Sequence, residues 1–285
     1  KEEIKEAAKK DPLILHPYTF VERDKGRKLK AIPFCNKFKK ELTEVAKLLE
    51  EAARISEDRD FAQYLRDLAI SLLKEGYAQN EILWTTRGPF KFNFIIGPIE
   101  RYLDRLLFTK CAYQSWVGIL DEKSTKEAER FKKIILASRR KIFPGTTKIE
   151  FAKLRIEINK TAIFSGLIAD NMFTGTNLPN NANLMEKYGS KLTIFGSSLK
   201  LNFNEKNFPI FKNVFSKNLQ KYFSKDKLQT ALLHCILLHE ISHSLIRYRD
   251  AEARLRELFP ILDELLAYIL GIKCCGPLLL KDALN

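Results

Sequence analysis

Ile236-Leu237-Leu238-His239-Glu240-Ile241-Ser242-His243 carries the deciding pattern of this chain. Its apolar residues, with Leu245 just beyond, mark a buried helix, and inside that helix two histidines stand four positions apart. Four residues along an α-helix advance about 400°, so the two imidazoles lie about 40° apart on one face and can share one ion. Glu240 projects beside them, placed to act as a general base on water near that ion. The apolar flanks would hold such ligands rigid and keep competing charge away.

Three features strengthen the pattern. The chain has only 4 histidines, and two of them fall in the motif. The motif lies within an unbroken helical pattern. A second helical stretch follows with the carboxylate pair Asp263-Glu264, and Glu264 comes 264 − 243 = 21 positions after His243. These two acids point about 100° apart on a helix, so only one can face the histidines, and spacing alone leaves both open. His234 lies five positions before His239 and about 140° off its face, which suits a local hydrogen bond. Cys235 shares the stripe of His239, from which it could touch the metal, and is expected rather to be a core cysteine. His16 sits beside Pro17 in a loop-like stretch with no evident partner.

The 285 residues suffice for one large domain or two lobes with real cores. Hydrophobic residues make up 45% and charged residues 29%, an ordinary globular balance, and no apolar run is long enough to span a membrane. The formal charge is +14, but the basic residues are dispersed. The densest stretch, with Lys132, Lys133, Arg139, Arg140 and Lys141, alternates with apolar positions and carries no aromatic or zinc-finger motif, so specific nucleic-acid binding is not expected. The 5 cysteines form no CxxC pair, and the neighbours Cys274 and Cys275 are too close to bridge each other. Buried free thiols in a reducing, cytoplasmic setting are expected. The sequence opens with Lys1 rather than Met, in keeping with a processed chain, so a removed signal peptide stays compatible with it.

Helical periodicity runs from Phe34 to Tyr77: Leu42, Val45, Leu48, Leu49 and Ala52 form one helix, and Phe61, Leu65, Leu68 and Leu72 a second. Ser56-Glu57-Asp58 supplies the break and a cap, and Gly76 closes the pair. Phe90 to Ile96 alternates like a strand that Gly97-Pro98 ends. Residues 110–140 read as helix, with Trp116 and Val117 on its apolar side. Residues 150–215 are rich in turn residues and predict short strands and loops. Helices at about 226–248 and 250–272 follow. These shifts divide the chain into an N-terminal helical region (1–87), a mixed region (88–215) and a helical region around the metal motif (216–285).

Three blocks resemble the dipeptidyl peptidase III family of zinc metallopeptidases, closest to its shorter bacterial-type members. They are Gly97-Pro98-Ile99-Glu100-Arg101-Tyr102-Leu103-Asp104; Thr176-Asn177-Leu178-Pro179-Asn180, with Gly189 following; and the motif helix followed by Asp263-Glu264-Leu265-Leu266-Ala267-Tyr268-Ile269-Leu270-Gly271. The resemblance runs from about Phe34 to Lys273. It implies Glu264 as third zinc ligand beside His239 and His243, and Glu240 as general base. It also implies that Glu100 and Tyr102 face the substrate, with the Tyr102 hydroxyl donating to the carbonyl oxygen as charge develops. Asn177 and Asn180 would hold the backbone and free amino end of a peptide; read alone, they are ordinary turn residues.

The chain departs from the family pattern in four ways. Asp263 stands where the family has Glu, and Tyr268 stands where a closing Asp would orient a zinc histidine. The connection from His243 to Glu264 is shorter than usual, and family members continue well past the third block. A fragment or a reduced homologue is therefore expected. The combined expectation is an α+β protein, predominantly α-helical, with a smaller strand-containing wall of a cleft facing the zinc helices. It would hold one Zn2+ per chain and hydrolyse short peptides, with the resemblance implying removal of two residues at a time from the free amino end. The alternatives are a zinc- and peptide-binding protein without turnover, and a basic nucleic-acid-associated protein with a structural zinc.

Overall fold

The computed structural model describes every residue except 101–103, 105, 108, 143–152, 167–168, 170–172, 180–181, 246–250, 256–257 and 285. The fold is α+β with helices predominating. The chain forms two compact units: Lys1–Val117 with Ala162–Met172, and Gly118–Thr161 with Phe173–Asn285.

The first unit begins with helix α1 (Glu2–Lys10), a 3-10 turn (Pro12–Leu15) and the hairpin β1 (Thr19–Arg23) and β2 (Leu29–Pro33). A one-turn helix α2 (Phe34–Lys37) leads into the pair α3 (Lys39–Ile55) and α4 (Arg59–Leu73). Leu42, Ala46, Leu49 and Ala53 of α3 are buried, as are Leu65, Leu68, Ala69 and Leu72 of α4. The buried stripe of α3 is rotated from the expected one, since Leu48 is 60% exposed. Asp58 caps α4 by accepting from the backbone N–H groups of Asp60 and Phe61 at 2.9 and 3.0 Å, which satisfies two donors left open at a helix start.

Helix α5 (Tyr77–Thr86) precedes strands β3 (Phe92–Glu100) and β4 (Ala112–Leu120). Two expectations fail here. Strand β3 continues through Gly97-Pro98; it is an edge strand, the place in a sheet where proline is tolerated. Residues 112–120 are strand rather than helix: Gln114, Trp116 and Gly118 are buried with period two, and the helix starts only at Glu122. The indole N–H groups of Trp84 and Trp116 both donate to Asn93 Oδ1, at 3.3 and 2.8 Å, which ties α5 to both strands. Asp104 closes the β3–β4 loop by accepting from the backbone of Leu106, Leu107, Thr109 and Lys110 and from the Thr109 hydroxyl.

The second unit holds helix α6 (Glu122–Ile142), most of strand β5 (Arg155–Gly166), β6 (Gly175–Leu178), α7 (Ala182–Tyr188) and β7 (Lys191–Phe195). The sheet order is β3-β4-β5-β7-β6, with β5 parallel and β6 antiparallel to β7. Residues 196–214, expected as strands and loops, are helical: α8 (Gly196–Asn202), a π turn (Phe203–Asn207) and α9 (Phe208–Val214). A short α10 (Lys217–Gln220) leads to the motif helix α11 (Lys225–His243), then α12 (Ala251–Leu255) and α13 (Phe259–Leu279). One core joins α6, the central strands, α11 and α13 through Phe131, Ile135, Ile158, Ile194, Leu238, Ile241, Leu270 and Cys274. Lys191 and Glu157 form an ion pair at 2.9 Å between β7 and β5, with side chains 2% and 4% exposed.

Candidate metal centre

Helix α11 starts at Ser224, whose hydroxyl accepts from Lys227 N at 3.3 Å. Its core-facing residues Leu237, Leu238, Ile241 and Leu245 are buried, which fixes the rotation of the helix about its axis. Helix α13 comes close enough to share that site because of Gly271. A Cβ there would touch His239 N and the Leu238 carbonyl carbon, each at 3.4 Å, so the backbones of the two helices come close together at this position. Counting back two turns from Gly271 reaches Glu264, which therefore lies on the face turned to α11.

The result is a cluster of three donors. His239, His243 and Glu264 each offer one ligand atom, all within 4.8 Å of one another. The two Nε2 atoms are 3.2 Å apart. Glu264 Oε2 is 3.2 Å from His239 Nε2, and its Oε1 is 3.6 Å from His243 Nε2. Neighbouring ligands of a tetrahedral zinc with bonds of about 2.0–2.1 Å lie roughly 3.3 Å apart, so the donors fit that ion. Glu264 is 58% exposed, so the carboxylate side of the cluster opens to solvent.

Asp263 has a different partner. Its Oδ2 is 2.8 Å from His243 Nδ1, on the opposite side of that ring from Glu264. The two neighbouring acids thus meet the two nitrogens of one imidazole. The expectation that only one of the two acids can face the histidines fails, because an imidazole offers a nitrogen on each side and side chains about 100° apart can reach one each. His239 has no equivalent. Its Nδ1 is buried and, among the described residues, without a hydrogen-bond partner. Tyr268, standing where a carboxylate was expected, lays its ring against His239 with centroids 4.3 Å apart and planes at 48°.

The titration directions follow from these contacts. Burial alone would pull His243 down, but the hydrogen bond and charge of Asp263, with Glu240 and Glu264, carry it above the usual histidine range. His239 is lowered by burial and then by the neighbouring His243. Glu240 is raised, chiefly because burial disfavours its charge. Strand β6, at the edge of the sheet, runs beside Glu240: a Cβ at Gly175 would lie 3.8 Å from the Glu240 carboxyl carbon.

Of the residues assigned to substrate by resemblance, Asn177 lies on β6 and its Nδ2 donates to Ser244 Oγ at 3.1 Å, while its Oδ1 is buried without a partner. Tyr102 and Asn180 lie outside the described residues, and Glu100 is described only as the last residue of β3. His234 contacts the Glu127 carboxylate at 3.5 Å and the Phe131 ring edge-on, consistent with a structural role. Cys235 is exposed instead of in the core, and of the five free cysteines only Cys111 and Cys274 are buried. His16 does find a partner, since its Nδ1 accepts from Tyr18 N at 3.4 Å.

No protein-family model matches the chain. Nudix hydrolase 3 of Arabidopsis thaliana is 21% identical over 274 residues, a match covering 92% of this chain and 35% of that protein. The structure is similar to that of DPP III from Caldithrix abyssi, with a TM-score of 0.86, 22% identity, and coverage of 99% of this chain and 56% of the other. It is also similar to dipeptidyl-peptidase III from Corallococcus sp. strain EGB, with a TM-score of 0.75, 24% identity, and coverage of 100% and 53%. The fold is thus dipeptidyl peptidase III-like. The chain spans about a third of the plant protein and a little over half of each solved structure.

Proposed function

We propose that this chain is a zinc-dependent metallopeptidase acting on short peptides from their free amino end. One observation carries it: two imidazole Nε2 atoms and a carboxylate converge within 4.8 Å, beside the half-buried Glu240. His239, His243 and Glu264 would hold the ion. When bound, the ion supplies Lewis-acid activation of water and of the peptide carbonyl. Glu240, its affinity for protons raised by burial, accepts the proton of the attacking water. As the C–N bond breaks, Glu240 passes that proton to the leaving amine. The edge of β6 beside Glu240 is suited to align an extended peptide by main-chain hydrogen bonds. Asn177, with an unpaired Oδ1, and Asn180 are the candidates for the backbone and amino end of the peptide, and Glu100 and Tyr102 are the further substrate contacts that the resemblance implies. Among the described residues no helix is long and apolar enough to cross a membrane. The five free thiols support the cytoplasmic setting.

The test is Glu240→Gln. It should retain zinc and abolish cleavage, because an amide cannot accept the proton, and acetylating the substrate's amino group should slow turnover of the parent chain. A zinc-loaded chain that binds peptides and cleaves none would decide for the non-catalytic reading. That second reading is favoured by the buried, unpartnered His239 Nδ1, which leaves one candidate ligand without the orienting contact that the other has.

A further inference from the structure

The two candidate histidine ligands differ in their second nitrogen. For both Nε2 atoms to present a lone pair to a cation, each ring must carry its proton on Nδ1. Asp263 Oδ2, 2.8 Å from His243 Nδ1, accepts that proton and holds the tautomer. His239 Nδ1 is buried with nothing to accept from it. The better place for its proton is Nε2, where Glu264 Oε2 waits at 3.2 Å. The carboxylate that would bind the cation therefore also stabilises the ring form that cannot.

Tyr268 stands at the origin of this asymmetry. It follows Glu264 by one turn of α13, and its ring is the aromatic face pressed on His239. A glutamate at this position would put a carboxylate in place of the aromatic ring that now packs on the His239 imidazole. We propose that Tyr268 sets the metal affinity of the site: it shields His239 from water while offering Nδ1 no acceptor. The cation is then held reversibly, and one substitution suffices to make the site tight. This rests on the zinc reading above.

The experiment compares the full-length chain with Tyr268→Glu, Tyr268→Gln and Tyr268→Phe, measuring Zn2+ affinity by competition with a chromophoric chelator. Orienting contacts of this kind are typically worth about 10–100-fold in metal affinity. Tyr268→Glu should tighten zinc by that order, and Tyr268→Gln, a neutral acceptor, should tighten it measurably, which separates hydrogen bonding from added charge. Tyr268→Phe should leave it unchanged. In the zinc-free proteins, imidazole nitrogen NMR should find the His239 proton on Nε2 in the parent and on Nδ1 in Tyr268→Glu. Folded Glu and Gln variants that bind zinc no tighter than a zinc-binding parent would overturn the inference alone. So would a large loss in Tyr268→Phe, which would make the hydroxyl the acceptor. Absence of zinc binding by parent and variants together would overturn the metallopeptidase reading itself.

Discussion

Replacing Lys191 by Met should destabilise the second unit by about 3–5 kcal/mol, the usual result of removing one member of a buried ion pair. The magnitude follows from the burial. Lys191 Nζ and Glu157 Oε1 meet at 2.9 Å with side chains 2% and 4% exposed, and burial pulls the lysine below its ordinary proton affinity. Water cannot take over the counter-charge, so the variant leaves a carboxylate in the core with this partner gone. Lys191 also sits opposite Leu178 in the β6–β7 ladder, so the strand that passes Glu240 shares the damage. In a cooperative unit of this size each kcal/mol shifts the midpoint by about 2–4 °C, which predicts a fall of roughly 10 °C in a calorimetric scan. The double variant Lys191→Met with Glu157→Leu removes both charges and should recover most of that loss. A single variant that costs less than about 1 kcal/mol, or a double variant worse than either single one, would refute the reasoning.

Other outcomes can be checked alongside it. Glu264→Gln should lower zinc affinity far more than Asp263→Asn, which keeps a neutral acceptor for His243 Nδ1, while Asp263→Ala, which removes that contact, should cost about 10–100-fold by chelator competition; a larger loss in Asp263→Asn than in Glu264→Gln would reassign the ligand. Asp104, though partial burial opposes it, is held below the ordinary carboxylate range by backbone hydrogen bonds from the loop it closes. Its stabilising effect is therefore full above the unfolded value near pH 4 and is lost as pH falls, so Asp104→Asn should flatten the acid limb of a stability–pH curve. Gly189 has φ +83°, and a Cβ there would lie 2.5 Å from Lys153 O, so Gly189→Ala should cost about 1–3 kcal/mol in a urea titration.

Much of the candidate site was legible in the sequence because a helix turns local spacing into direction. The interval between His239 and His243 and the divergence of Asp263 from Glu264 follow from about 100° per residue, whatever the rest of the fold does. The α3–α4 pair and the cap at Asp58 were legible for the same reason. Where local pattern was ambiguous, it misled: Trp116 has apolar neighbours that fit a helix or a strand, and only pairing with adjacent strands made it strand.

What only the tertiary structure decided is who meets whom between elements. The close approach of α13 at Gly271 sets how far Glu264 reaches toward the histidines. It also gives His243 Nδ1 the Asp263 carboxylate and places Tyr268 against His239, whose Nδ1 is buried without a partner. Asn177 could be named from its block, yet its hydrogen bond to Ser244 depends on β6 lying along α11. Sequence spacing fixes angles about one helix axis; the distance and register between two helices come from the packing of side chains far apart in the chain.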